Sequence, residues 1–174
     1  MSSAKKIYKY NFDRKTIYLT IVHIVIVSAL GVLLYMLYDD GYFSAWFASF
    51  VVALFCLMAL SIPRRVELTP HKLSVVCLLE LTEIDIAEIV SMRKVNPRSV
   101  RFFIPYLGSY GFFGYYGQFI DLRRFERFKV YATEWRYLIE IVDIYEDRYY
   151  ISCREGDNLM AQIKEYQREP LAKL

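Results

Sequence analysis

The sequence predicts an α+β protein: an N-terminal transmembrane helical hairpin, then a curved β-sheet or barrel of about seven strands, then one C-terminal amphipathic helix. Three observations carry this expectation. Ile17 to Tyr38 and Tyr42 to Ile62 contain no charged residue. At ~1.5 Å rise per residue, each run is long enough as a helix to cross a hydrocarbon core about 30 Å thick. From Val66 the apolar period changes from helical to strand-like. Near the C-terminus Leu159, Met160, Ile163 and Tyr166 return to helical spacing, with Gln162, Lys164, Glu165 and Arg168 on the opposite side.

Residues 1–16 read as a basic cytoplasmic tail, with Lys5, Lys6, Lys9, Arg14 and Lys15 against the single acid Asp13. The apolar run behind it is too long for a cleaved leader, and a second follows at once, so residues 17–62 read as a retained hairpin of helices 17–38 and 42–62. Asp39-Asp40-Gly41 between them leaves room only for an antiparallel turn. Arg64 and Arg65 follow the second run, so positive charge flanks both outer ends and is absent from the connection. That bias places both termini and the downstream domain in the cytoplasm of a two-pass protein of the cell (inner) membrane. Tyr18, Tyr35, Tyr38, Tyr42, Phe43 and Trp46 fall near the run ends, where interfacial anchors belong.

At 100° per residue, Ala45, Ala48, Ser49, Cys56 and Ala59 share one side of the second helix, and Thr16, Thr20, His23 and Gly31 one side of the first. Small residues and hydroxyls suit a helix–helix contact, either the hairpin seam or a partner's surface. An ionisable residue in a span is a functional candidate by default. No second ionisable group lies inside either run, so a proton relay through His23 has no partner. The expectation is a neutral packing histidine, with Thr20, His23 and Ser49 as intramembrane packing contacts.

Residues 63–168 form the predicted domain and 169–174 a short C-terminal tail. Val66–Thr69 and Lys72–Leu79 read as a hairpin about Pro70-His71, followed by Glu83–Ile89, Ser91–Val95, Phe119–Leu122, Phe128–Thr133, Tyr137–Tyr145 and Tyr149–Cys153. From Pro63 onward 17 Lys/Arg face 16 Asp/Glu, a balance without the basic footprint of a nucleic-acid binder. Cys56, Cys77 and Cys153 lack CxxC or metal-like spacing, and Cys77 and Cys153 are expected as small core residues in a reducing compartment. No cofactor, metal site, catalytic residue or small-molecule substrate is indicated. His71 has no nucleophile or carboxylate at a recognised spacing, and Glu83, Asp85 and Glu88 do not converge.

Two stretches stand out as candidate contacts. In Leu107–Phe119, Gly108, Gly111, Gly114 and Gly117 recur every three residues, with Tyr110, Phe112, Phe113, Tyr115 and Tyr116 in the gaps. The spacing is not that of a phosphate-cradling loop. It suits a flexible connection whose aromatics fold back on the sheet, or an exposed loop touching lipid or a partner. Arg123, Arg124 and Arg127 form a basic cluster that is either a solvated face or a contact to anionic headgroups.

The chain also resembles the bacterial pleckstrin-homology-like domain proteins. The resemblance lies in the two-helix anchor followed by Val66-Glu67-Leu68-Thr69 and Leu73-Ser74-Val75, Ile84-Asp85-Ile86-Ala87-Glu88-Ile89, Gly117-Gln118-Phe119, Val130-Tyr131-Ala132-Thr133, Tyr150-Ile151-Ser152-Cys153 and the final helix. It covers Arg64 to Tyr166. It implies a curved seven-stranded sheet with a C-terminal helix, serving binding or assembly rather than catalysis, and it carries over no functional residue. Pro70-His71-Lys72 offers a single Lys where inositide-binding relatives cluster basic residues. The expected function is a membrane-anchored binding or scaffolding module engaging a protein partner or itself at the cytoplasmic face of the bilayer. The alternatives are an accessory subunit of a membrane transport or envelope-stress complex, or a sensor of anionic headgroups.

Overall fold

Largely uncharged sequence forms the first two long elements of the computed structural model, which describes residues 5–37, 42–77, 81–96 and 99–168. Helix α1 runs Arg14–Leu37 and α2 runs Tyr42–Leu60. Asp13 starts α1 by accepting the Thr16 amide at 2.6 Å, which satisfies one of the unpaired N–H groups of a helix start. α1 is long and apolar enough to cross a membrane, whereas the apolar stretch of α2, Tyr42–Leu57, is shorter. The helices touch each other, and the expected turn at Asp39-Asp40-Gly41 lies outside the described residues. Ser28, Gly31 and Val32 face Ala45 and Ala48 across an open cleft of about 420 Å³. A methyl group built on Gly31 would meet nothing within 4 Å, so this glycine does not bring the two backbones together.

The sequence reading assigns residues 1–16 to a tail, and here the structure corrects it. Lys6–Lys9 form strand β1, which pairs antiparallel with β2 (Arg65–Leu68), Lys6 opposite Leu68 and Lys9 opposite Arg65. β3 (Lys72–Val76) and β4 (Leu81–Asp85) complete a four-stranded antiparallel sheet in the order β1-β2-β3-β4. Tyr8 anchors the added strand, being buried and donating its hydroxyl to Gln162 Oε1 at 2.8 Å. Lys5 and Arg65 both pair with Glu67, at 2.8 and 2.7 Å. A four-residue strand with one buried side chain among lysines has no periodicity to betray it.

Beyond β4 a single 3₁₀ turn, Ile86–Glu88, leads into the second sheet. Its strands are β5 (Ile89–Lys94), β6 (Phe103–Tyr110), β7 (Tyr115–Asp121), β8 (Glu126–Ala132), β9 (Leu138–Asp143) and β10 (Arg148–Ser152). Their spatial order is β5-β9-β10-β8-β7-β6; β8 and β10 run parallel and the other neighbours antiparallel. β1 and β6 are the strands that the sequence reading lacks. β6 carries Pro105 and Gly108, which weaken a strand signal, and it lies at the sheet edge, where proline is tolerated. The glycine-aromatic stretch is therefore a β6–β7 hairpin and not a flexible connection.

β9 and β10, in the interior of the six-stranded sheet, are buried on both faces, which suits the apolar runs within them. On one face Tyr131, Ile139, Ile141, Tyr149 and Ile151 meet the first sheet and α3 (Gly156–Arg168) through Leu159 and Ile163. On the other, Val130, Ala132, Leu138 and Tyr150 join Phe103, Tyr115, Phe119, Phe128 and Trp135. Glu140 lies on this aromatic face. Burial works to raise its carboxyl, but hydrogen bonds from Arg93 and Tyr150, with the charges of Arg93 and Arg148, outweigh it and hold the group below the usual carboxylate range. Cys77 and Cys153 are buried and unbridged, and burial pushes the Cys153 thiol up to about 11.

Candidate functional site

The glycine-aromatic hairpin is built to approach other backbone closely. Its tip closes by a Gly111 amide to Gly114 carbonyl bond of 2.8 Å, and the Ser109 hydroxyl accepts the Phe112 amide at 3.2 Å. Gly111 has φ 92°, and a Cβ there would lie 2.5 Å from Leu19 Cδ1 of α1. Only glycine accommodates both conditions. The tip thus sits directly on the first turns of α1.

Polar contacts close the joint. The Thr20 hydroxyl accepts the Phe113 amide at 2.9 Å. It lies 3.0 Å from the Gly111 carbonyl and 2.8 Å from the Thr16 carbonyl, which share its proton. Thr16 donates to the Thr133 carbonyl at 3.1 Å, and Thr133 donates to the Asn11 carbonyl at 2.6 Å. The Phe112 ring packs on Phe55 of α2, centroids 4.7 Å apart. Tyr10, just after β1, donates to the Tyr131 carbonyl at 2.9 Å, and its own amide reaches Arg64 O at 3.4 Å. Both ends of the helical pair are therefore fastened to the domain at one place.

The expected contact residues are sorted by this joint. Tyr115 and Tyr116 are buried, and Phe112 is buried against Phe55, so these three are internal packing and not a free aromatic surface. Tyr110, 38% exposed, packs on Tyr115 and Trp135, and Phe113, 41% exposed, on Phe12. Thr20 bonds to the domain. His23 Nδ1 lies 2.7 Å from the Leu19 carbonyl and Ser49 donates to the Ala45 carbonyl at 2.9 Å, each one turn back on its own helix. The expected hydroxyl bonds across the helix seam are not among these contacts. The threonine pair at 16 and 20 was the available signal, because two hydroxyls at i, i+4 on an apolar helix need acceptors.

Arg123, Arg124 and Arg127 come together around the β7–β8 turn, and all three are exposed. Sequence reasoning missed their companions. The Arg123 guanidinium sits 4.0 Å from the centre of the Phe102 ring and that of Arg127 5.2 Å from Tyr106. Phe125, at φ 55°, projects from the turn 76% exposed. Cations over aromatic faces gain about 0.5–1 kcal/mol each at exposed sites, enough to order the arginines without hiding them. Among the described residues no group of three or more His, Cys, Asp or Glu is placed to hold a metal.

Neither the curated proteins nor the solved structures contain a match to this chain. The family model described as Bacterial PH domain matches residues 64–167, from the start of β2 to the last turn of α3. Two sheets closed by a C-terminal amphipathic helix accord with that match, and the chain belongs to the bacterial PH domain family.

Proposed function

We propose that the protein is a membrane-anchored PH module for binding or assembly, held at the cytoplasmic face by a two-pass hairpin formed by α1 and α2. The observation that carries this reading is the joint itself. The chain leaves the first sheet at Lys9, enters α1 through Thr16 and Thr20, and returns beside its exit at Arg64. A module fastened in this way has a fixed orientation to the bilayer and does not swing on a linker. The basic residues before α1 and Arg64-Arg65 after α2 favour the cytoplasmic side.

Topology is testable by cysteine accessibility. Cys77 and Cys153 are buried and give no clean answer, so engineered thiols are needed. In a Cys56→Ser background, Asp40→Cys should label in intact cells with an impermeant reagent, and Arg124→Cys only after the membrane is opened. The reverse pattern overturns the topology. For function, residues 21–53 are replaced by an unrelated apolar helical hairpin, which spares Leu19, Thr20 and Phe55. In-cell crosslinks from the exposed Phe125 turn should persist. Their loss from a folded module places specificity in the helices and favours the accessory-subunit reading.

A further inference from the structure

A cavity of about 650 Å³ opens between the start of α1, the 3₁₀ turn before β6 and the connection from β8 to β9. Arg14, Lys15, Arg101, Arg136 and Arg154 all line it, although they come from four separate parts of the chain. Two acids share the cavity and both are engaged. Glu134 is gripped by Arg154, with Nε at 3.0 Å, and Asp13 caps α1 through the Thr16 amide. Among the described residues Arg14, Lys15, Arg101 and Arg136 have no acidic partner; the salt bridges elsewhere engage Lys5, Arg65, Lys72, Arg93, Lys94 and Arg148. Five basic side chains against two carboxylates leave this concavity net positive, which focuses a positive potential there. Trp135, 7% exposed, forms the apolar wall.

We propose that this cavity binds a phosphate-bearing anion, contacted by Arg14, Lys15, Arg101 and Arg136 against the wall made by Trp135. Guanidinium forks match phosphate oxygens in pairs, so the three arginines without an acidic partner, Arg14, Arg101 and Arg136, favour phosphate over a monatomic anion. Arg14 and Lys15 directly precede the apolar run of α1, which puts the mouth at headgroup depth. That depth rests on the membrane reading above; the cavity and its charge do not. The same oxygens are offered by an anionic phospholipid headgroup and by a soluble phosphate. The site is distinct from the β2–β3 turn with its lone Lys72 and from the Arg123–Arg127 cluster.

The test uses the full chain in neutral detergent micelles. The sequence has two tryptophans, so Trp46→Phe leaves Trp135 as the only indole reporter. Short-chain phosphatidylglycerol, phosphatidylcholine and inorganic phosphate are titrated separately while Trp135 emission is followed. A saturable response to phosphatidylglycerol alone supports the site and assigns a headgroup; one to inorganic phosphate as well supports it and assigns a soluble anion. Arg101→Gln and Arg136→Gln should each weaken the response roughly fivefold, as expected for one basic contact, and Arg124→Gln should change it less than twofold. Arg101→Lys, which keeps charge but loses the fork, should fall between, and it answers the question should the Gln variants melt early. No saturable response from folded protein overturns the proposal, as does a response that the double Gln variant retains or that Arg124→Gln weakens equally. A reversed cysteine pattern with an intact phosphate response would defeat the membrane reading and leave the site standing.

Discussion

At one end of β7 the chain turns through Gly111–Gly114 and is closed against α1 and α2; at the other it turns through Leu122–Phe125 and stands in solvent. Both turns place a phenylalanine in the left-handed region, Phe113 at φ 51° and Phe125 at φ 55°. Both were candidate contact surfaces in the sequence. Local conformation therefore does not separate them. The tip carries glycines that let Leu19 and Thr20 come within contact distance, and the Gly111, Phe112 and Phe113 amides there each find a partner. The opposite turn carries side chains that prefer water at one end, and its aromatics are matched by arginines. A joint and a free surface have been made from the two turns of one meander.

Breaking the joint is expected to have the largest effect. Gly111→Val forces a β-branched residue into a left-handed conformation and drives its side chain into Leu19, a loss of about 3 kcal/mol or more. The apparent melting temperature in detergent should fall by several degrees, and Leu19→Ala should restore only the steric part. A neutral Gly111→Val would show that the tip is not seated on α1. Thr20→Val removes the acceptor for the Phe113 amide and should cost about 1.5 kcal/mol. Faster exchange of that amide would locate the loss at the joint, and unchanged exchange would deny the bond.

A smaller effect reports on β1, which extends the sealed side. Hydrogen bonds from Lys5 lead the causes that hold the Glu67 carboxyl below its usual range; burial opposes them, and Arg65 adds to them. A carboxyl lowered in the fold stabilises it above the unfolded value of about 4.3, and that stabilisation is lost as pH falls through the folded value. Protection of the Lys6–Lys9 amides should therefore decline on acidification below that range, and Glu67→Gln should remove the pH dependence while lowering protection at neutral pH. A wild-type profile flat down to acid unfolding would contradict the latch. The smallest change is expected at the open turn. Arg124→Gln and Phe125→Ser should alter stability by less than about 0.5 kcal/mol, because neither side chain is buried. A large loss there would mean that the turn is packed after all.

Much of the module was legible from residues alone, and the reason is periodicity. Val66, Leu68, Leu73, Val75 and Ile84 alternate with polar residues and occupy the core as alternation requires. Leu159 and Ile163 lie on the buried stripe of α3. β1 and β6 were not legible, because one is a short strand among lysines and the other is punctuated by Pro105 and Gly108. The cavity was illegible for a different reason: Arg14, Arg101, Arg136 and Arg154 are scattered along the chain, and no spacing rule connects them.

By itself the sequence determined that long uncharged runs precede a strand-rich domain with a terminal amphipathic helix, because burial of apolar side chains imposes a period that can be read directly. It also determined that Gly108, Gly111, Gly114 and Gly117 recur every three residues among aromatics. Only the tertiary structure decided what those glycines serve. The Leu19–Thr20 pair, Phe55 and Phe112 are far apart in sequence and meet at one joint through hydrogen bonds and ring packing. The fold likewise decided that a segment written as a tail becomes an edge strand, since backbone pairing depends on which open edge lies nearby and hardly at all on the identity of four residues.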